Sequence, residues 1–95
     1  MTIIVAGHLF VDPAVRDEYL CGCIEVMVLA RRTAGCKDFS LTADPIDHRR
    51  INIFEQWESV EAVEAFRGSG QSDEQTAAIL DAEVYQHVVS SSTQL

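Results

Sequence analysis

The segment that most limits the possible folds runs from Gly35 to Ser59 and reads GCKDFSLTADPIDHRRINIFEQWES. Residues 36–42 alternate between apolar and polar side chains, which is typical of a half-buried strand. Asp44 and Pro45 then begin a run of turn-forming residues. The alternation resumes over residues 50–58, so the segment predicts a β-hairpin. One face of its return strand carries Ile51, Ile53, Glu55 and Trp57, and the other carries Asn52, Phe54, Gln56 and Glu58.

The residues before the hairpin predict one strand and one long helix. Residues 2–11 are β-branched or apolar almost without a break, as expected for a central strand that is covered on both faces. The Asp-Pro pair at residues 12–13 suits the start of a helix. We expect this helix to run to about Thr33, with Gly35 as the residue that ends it. Its second half, around Met27, is apolar on nearly every side and should contact more than one surface.

The residues after the hairpin predict two short helices. Ser59 is expected to cap the first one, which would direct Val63 and Phe66 inward and end near Gly68. The sequence Ser-Asp-Glu-Gln at residues 72–75 fits a capping box. It predicts a second short helix that continues through about Leu80.

The last predicted strand covers residues 82–90. Its alternation places Val84, Gln86 and Val88 on one face and Tyr85, His87 and Val89 on the other. Residues 90–95 are polar and are expected to be frayed.

This order of elements, β-α-β-β-α-β, indicates an α+β protein with a ferredoxin-like antiparallel sheet and helices on one face. We expect a single domain over residues 1–95, with the first and third strands at the centre of the sheet. The strands have apolar residues on both faces, so the helix-free face would expose more apolar surface than a monomer usually does. We therefore expect a homodimer that pairs the two helix-free faces.

The charge of the chain excludes two classes of partner. It has 15 acidic and 7 basic residues and a formal net charge of −8. Binding to nucleic acid or to an anionic membrane would require clustered Lys and Arg, so neither partner is expected. No apolar run approaches the ~20 residues that cross a bilayer, and no signal peptide is recognisable after Met1. The expected location is the cytoplasm.

The cysteines do not predict a disulfide framework or a metal site. There are three of them, an odd number. Cys21 and Cys23 are two residues apart on a predicted helix, where their side chains would point in nearly opposite directions. We expect the cysteines to be small apolar core residues and expect no metal ligands among them.

A further set of residues resembles a known family. Gly35-Cys36 after a long helix, Phe39-x-Leu41, the Asp44-Pro45 turn and Ile53-x-Glu55-x-Trp57-Glu58-Ser59 together are similar to the antibiotic biosynthesis monooxygenase family. The resemblance implies a dimeric α/β barrel of ferredoxin-like protomers. It also implies one of several activities, among them cofactor-free oxygenation of aromatic phenols, quinol oxygenation and haem degradation. Fold membership alone does not choose between these activities.

Two positions depart from the pattern of the family. Many members have a histidine nine residues after the tryptophan, where this chain has Phe66. Oxygenases of the family tend to pair the tryptophan with an asparagine that reaches the same cavity. The nearby asparagine here is Asn52, five residues before Trp57, and an odd separation places the two on opposite faces unless a bulge intervenes.

From the resemblance we expect a small-molecule enzyme that oxygenates an aromatic phenol or quinol-type compound without any cofactor. Its default site is the pocket between sheet and helices. The protein would hold the ring, stabilise the phenolate and supply a base near neutral pH. The candidate catalytic residues are His87, Trp57 and Asn52, and the candidate substrate contacts are His8, Tyr85, Met27 and Phe66.

Each main candidate also has a structural interpretation. Trp57 is equally compatible with a core aromatic residue at the end of a strand. His87 lies beside Tyr85 on the same predicted face, where the pair could supply a base and a hydrogen-bond donor, but it also suits a dimer face. His8 reaches a cavity or finds a hydrogen-bond partner within the core.

Two other functions fit the same sequence. One is a non-catalytic dimeric binding or accessory protein, which the absence of the family's histidine favours. The other is an isomerase or lyase for a small metabolite. Oxygen consumption would distinguish an oxygenase from an accessory protein. Turnover without oxygen would indicate the isomerase or lyase.

Overall fold

A computed structural model describes residues 1–68 and 77–95 of the chain. Within these residues the order β-α-β-β-α-β is confirmed. The elements are β1 (Thr2–Val11), α1 (Arg16–Arg32), β2 (Cys36–Ala43), β3 (Arg50–Trp57), α2 (Val60–Arg67) and β4 (Ile79–Val89).

The four strands form one antiparallel sheet in the order β2-β3-β1-β4. The first and third strands therefore lie at its centre, as predicted. β2 and β4 are the edge strands of this sheet, because each of them pairs with one strand, whereas β3 and β1 each pair with two. This is the strand order of the ferredoxin-like fold.

The start and the end of α1 differ from the prediction. The carboxylate of Asp12 accepts a hydrogen bond from the backbone N–H of Ala14 at 2.8 Å, and its carbonyl accepts one from Val15 at 3.0 Å. These bonds make residues 12–15 a turn, and the helix begins only at Arg16. At the other end Thr33, in an extended conformation, closes the helix by donating its N–H to the Ala30 carbonyl at 3.0 Å.

Gly35 is thus not the residue that ends α1, although it does adopt a left-handed conformation with φ +87°. Its role is a close approach between segments. A Cβ at this position would lie 2.6 Å from the Cβ of Ala62 in α2. The Gly35 carbonyl accepts a hydrogen bond from the N–H of Glu58 at 2.8 Å, so the glycine lets the beginning of β2 lie directly against the start of α2.

The α2 helix begins as the sequence predicts. The hydroxyl of Ser59 accepts a hydrogen bond from the N–H of Ala62 at 3.2 Å, which satisfies one of the free donors of the first turn. Val63 is fully buried, and Phe66 packs against the core. The second short helix, predicted over residues 72–80, lies mostly outside the described residues.

The prediction placed the start of β4 too late. Residues 79 and 80 already belong to this strand, and Val11 at the end of β1 pairs with Ile79 after a shift in register. Because β4 pairs with the full length of β1, it begins at Ile79, three residues before the predicted start at Ala82.

Strand pairing assigns every side chain to one of two faces. Ile3, Val5, Leu9 and Val11 of β1 are buried and lie on the face that the helices cover. The remaining buried residues of this core are Tyr19, Cys23, Ala30, Phe39, Ile51, Trp57 and Val63. The even-numbered residues of β1 and β3 lie on the other face, which no described helix covers.

The turn between β2 and β3 is held together by Asp44. Its carboxylate accepts hydrogen bonds from the N–H of Asp47 at 2.8 Å, from the side chain of Asn52 at 2.8 Å and from the N–H of Ile46 at 3.0 Å. These bonds lower the pKa of Asp44 to about 2. The hydrogen bonds that hold this turn are therefore formed within residues 44–52, and they include the side chain of Asn52.

Candidate functional site

A partly buried carboxylate next to the only tryptophan marks the helix-covered face of β3. Trp57 Nε1 donates a hydrogen bond to Glu55 Oε1 at 3.0 Å. The two residues are two positions apart on a strand and so share a face. Burial raises the pKa of Glu55 above its ordinary value, and the hydrogen bond from Trp57 and the charge of Arg67 oppose that rise. A carboxyl group with a raised pKa is suited to act as a general base near neutral pH.

Three aromatic rings cluster beside this carboxylate. The ring centroids of Trp57 and Phe66 are 5.3 Å apart, and those of Phe39 and Phe66 are 5.5 Å apart. Phe39 also meets Trp57 edge-on at 6.5 Å. In the register of the sheet Phe39 is the β2 partner of Glu55. The carboxylate therefore lies at the edge of an apolar, aromatic environment.

The structure brings three of the seven predicted site residues to this face. Trp57 is fully buried, with 0% of its surface exposed, so its ring is a core aromatic in this state. Phe66, at the position where many family members have histidine, packs on Trp57. Met27 is partly buried and contacts both halves of the core.

The other four predicted residues lie on the helix-free face. Asn52 pairs in register with His8, and His8 pairs with Glu83 of β4. His8 Nε2 lies 3.9 Å from a carboxylate oxygen of Glu83. Tyr85 and His87 are neighbours on β4, with ring centroids 6.4 Å apart.

The predicted catalytic set of His87, Trp57 and Asn52 is therefore divided between the two faces of the sheet. The reason is the strand geometry. Asn52 and Trp57 are five residues apart on β3, and the pairing of β3 with β1 is regular from residue 50 to residue 57. Without a bulge, an odd separation places two side chains on opposite faces.

A cleft of about 830 Å³ lies along α1. Its described lining includes Tyr19, Val26, Ala78 and Leu80, together with the carboxylate residues Asp12, Glu18 and Glu25. None of the seven predicted site residues lines it. The predicted site residues therefore do not lie in this cleft.

Sequence reasoning missed Glu55, Arg67 and Gln86 as site residues. Arg67 ends α2, and its Nη1 donates a hydrogen bond to Gln86 Oε1 of β4 at 2.9 Å. A signal for Glu55 was present, since it is a carboxylate on a strand face otherwise made of Ile51, Ile53 and Trp57. The approach of Arg67 to β4 depends on tertiary structure and leaves no local signal.

The described cysteines confirm the predicted apolar role only in part. Cys23 is buried, Cys36 is partly buried and Cys21 is exposed, and none of the three forms a disulfide. Burial raises the pKa of Cys23 and of Cys36. Among residues 1–68 and 77–95, no three His, Cys, Asp or Glu side chains are placed to share a metal ion.

Within the described part of the chain, no helix is both long enough and apolar enough to cross a membrane.

The fold and the aromatic site define a small ferredoxin-like α+β protein with a carboxylate under its helices. The sequence model of the family described as antibiotic biosynthesis monooxygenase matches residues 2–79. The chain therefore belongs to the antibiotic biosynthesis monooxygenase family. None of the curated proteins compared with the chain matches it.

Solved structures support the fold over nearly the full length. PA3566 from Pseudomonas aeruginosa is 17% identical, with 95% of each chain covered and a TM-score of 0.82. Rv0793 from Mycobacterium tuberculosis is 17% identical, with 99% of this chain and 100% of that chain covered and a TM-score of 0.81. A conserved protein from Methanosarcina mazei Go1 is 15% identical, with 92% and 91% covered and a TM-score of 0.79.

Proposed function

We propose that the protein is a cofactor-independent monooxygenase that acts on an aromatic phenol or quinol-type compound at the Glu55–Trp57 site. The observation that carries the proposal is the partly buried Glu55 carboxylate. It has a raised pKa, is oriented by the Trp57 N–H at 3.0 Å and lies beside three aromatic rings. A base next to an aromatic surface is what deprotonation of a bound phenol requires.

The proposed reaction needs no redox group from the protein. Glu55 accepts the proton of the phenol, and the electron-rich ring then adds dioxygen at carbon. The resulting peroxide loses water to give the quinone. One oxygen atom enters the product and the other leaves in water, and the two hydrogens of that water come from the substrate. The protein supplies the base and the geometry that holds the ring.

We also propose that a second copy of the chain covers the helix-free face. This face carries Ile4, Phe54, Tyr85 and His87, and 59% of Tyr85 is exposed in the protomer. An apolar face of this kind favours a two-fold dimer. The proposal assigns His8, Asn52, Tyr85 and His87 to the interface. Cysteines that do not form disulfides fit a reducing cytoplasm as the location.

The test of the enzymatic proposal is oxygen uptake by the purified protein with anthrone and a panel of dihydroxynaphthalenes. Glu55→Gln keeps the shape and an acceptor for Trp57 but removes the base. We expect a fall in kcat of about 10²–10⁴-fold, the usual contribution of a general base. Glu64→Gln makes the same change on an exposed part of α2 and should retain the wild-type rate.

Three outcomes would contradict the proposal. An unchanged rate in Glu55→Gln would remove Glu55 from the mechanism. Stoichiometric binding without oxygen uptake would indicate an accessory protein, and turnover under strict anaerobiosis would indicate an isomerase or a lyase.

A further inference from the structure

The end of α2 is attached to the edge strand across from the candidate base. Arg67 Nη1 donates to Gln86 Oε1 at 2.9 Å. In the register of the sheet Gln86 pairs with Val5, and Val5 pairs with Glu55. Gln86, Val5 and Glu55 thus form a row on the helix-covered face, and Arg67 lies above the end of that row.

Among the described residues, Arg67 and Glu55 do not form an ion pair. The charge of Arg67 acts on the Glu55 carboxylate against the effect of burial. The partner of Arg67 in the described part of the chain is the neutral amide of Gln86. A guanidinium has five N–H donors, and the bond to the Gln86 amide uses one of them without cancelling the charge.

The choice of an amide as partner has a chemical consequence. A carboxylate at position 86 would pair with Arg67 and cancel its charge. A direct pair between Arg67 and Glu55 would cancel the cation and also weaken the base. Gln86 holds the guanidinium between the end of α2 and β4 and does neither.

We propose that Arg67, positioned by Gln86, binds an anionic group on the aromatic ligand. The site then selects aromatic molecules that carry a carboxylate over neutral ones of the same shape. The inference rests on the proposed function for the location of the site, and it adds the charge of the substrate. Arg67 is the ligand-binding residue and Gln86 is a positioning residue.

The test compares two ligands that differ in charge at one group, 1-hydroxy-2-naphthoate and 1-hydroxy-2-naphthamide. Trp57 is the only tryptophan, so its fluorescence reports on binding at this site. We expect the wild-type protein to bind the naphthoate about tenfold more tightly than the amide, as one charge-assisted hydrogen bond provides. Arg67→Gln should weaken naphthoate binding about tenfold and change amide binding less than twofold.

Three further variants separate charge from structure. Arg67→Lys keeps the cation and should retain part of the preference. Gln86→Glu should reduce the preference as Arg67→Gln does, because the new carboxylate would pair with the guanidinium. Arg32→Gln removes an exposed arginine at the end of α1 and should behave as the wild type.

The inference is overturned if the wild-type protein shows no preference, if it binds neither ligand, or if Arg67→Gln weakens both ligands equally. The binding test needs no turnover, so it is separable from the test of the enzymatic proposal. A preference that depends on Arg67 without any oxygen uptake would reject the oxygenase and keep the inference. Oxygen uptake that depends neither on ligand charge nor on Arg67 would keep the oxygenase proposal and reject the inference.

Discussion

Glu55 and Asp44 are two carboxylates of one hairpin with opposite shifts in pKa. Asp44 accepts three hydrogen bonds in the turn, and they lower its pKa to about 2. Glu55 accepts one from Trp57, and the effect of burial dominates. The difference follows from the number of donors, and it identifies Glu55 as the chemically distinctive carboxylate.

The raised pKa of Glu55 predicts a pH-dependent effect of Glu55→Gln on stability. The unfolded chain titrates near the ordinary value of 4.5, and the folded protein titrates higher. Between the two values the folded state binds more protons, so wild-type stability falls as the pH rises through this window. Glu55→Gln removes that fall. Its free energy of unfolding relative to the wild type should therefore increase from pH 4 upward and level off above the folded pKa.

Urea unfolding at a series of pH values measures this difference. Glu64→Gln is the control, because it makes the same change at an exposed position of α2. Parallel curves for the wild type and Glu55→Gln would contradict the assignment of the shift to burial of this carboxyl.

The sequence predicted the site only in part. The face on which a strand residue lies follows from its spacing along the chain, but a contact between elements that are distant in sequence does not. The opposite faces of Asn52 and Trp57 could be read from their odd separation. The joint placement of Glu55 and Trp57 could be read from an even one. The approach of Arg67 to Gln86 joins the end of a helix to a strand that begins twelve residues later, and only the folded chain brings them together.

Secondary structure elements were predicted best where a side chain sets the boundary locally. The Ser59 cap of α2 and the hairpin turn at Asp44 are both confirmed. The predicted start of α1 was wrong because Asp12 forms a turn of its own before the helix. The start of β4 failed because its pairing with β1, which is remote in sequence, extends the strand.

The cap of α2 gives a prediction for a single element. Ser59→Ala removes the acceptor for the Ala62 N–H and should lower the free energy of unfolding by about 1 kcal/mol. Ser59→Gly should cost only a few tenths of that, since glycine is tolerated at this position. Urea unfolding checks both, with Ser90→Ala after the end of β4 as a control that should be neutral. A neutral Ser59→Ala would show that the cap contributes nothing to stability.

For the whole molecule, the proposed dimer gives a prediction of mass and of interface. We predict that sedimentation will give a particle of twice the 10.5 kDa protomer mass. Tyr85→Glu, on the helix-free face of the edge strand β4, should raise the dimer dissociation constant by about a hundredfold, because burying an unpaired charge costs several kcal/mol.

The matched control places the same charge on the opposite side of the molecule. Leu29 on α1 is exposed to a similar degree, 54% against 59% for Tyr85. Leu29→Glu should leave the dimer intact. Dissociation by Leu29→Glu but not by Tyr85→Glu would move the interface to the helices.

The position of β1 between β3 and β4 also governs how the protein is made. Residues 2–11 precede both of their partners, and the second partner is the last strand of the sheet. During translation this apolar segment leaves the ribosome with both edges unpaired. Its second edge cannot be fully paired until Val89 has been added. Pairing between such distant parts of a chain is slow, so we expect β1 to remain unpaired for longer than the segments of a helical protein of equal length.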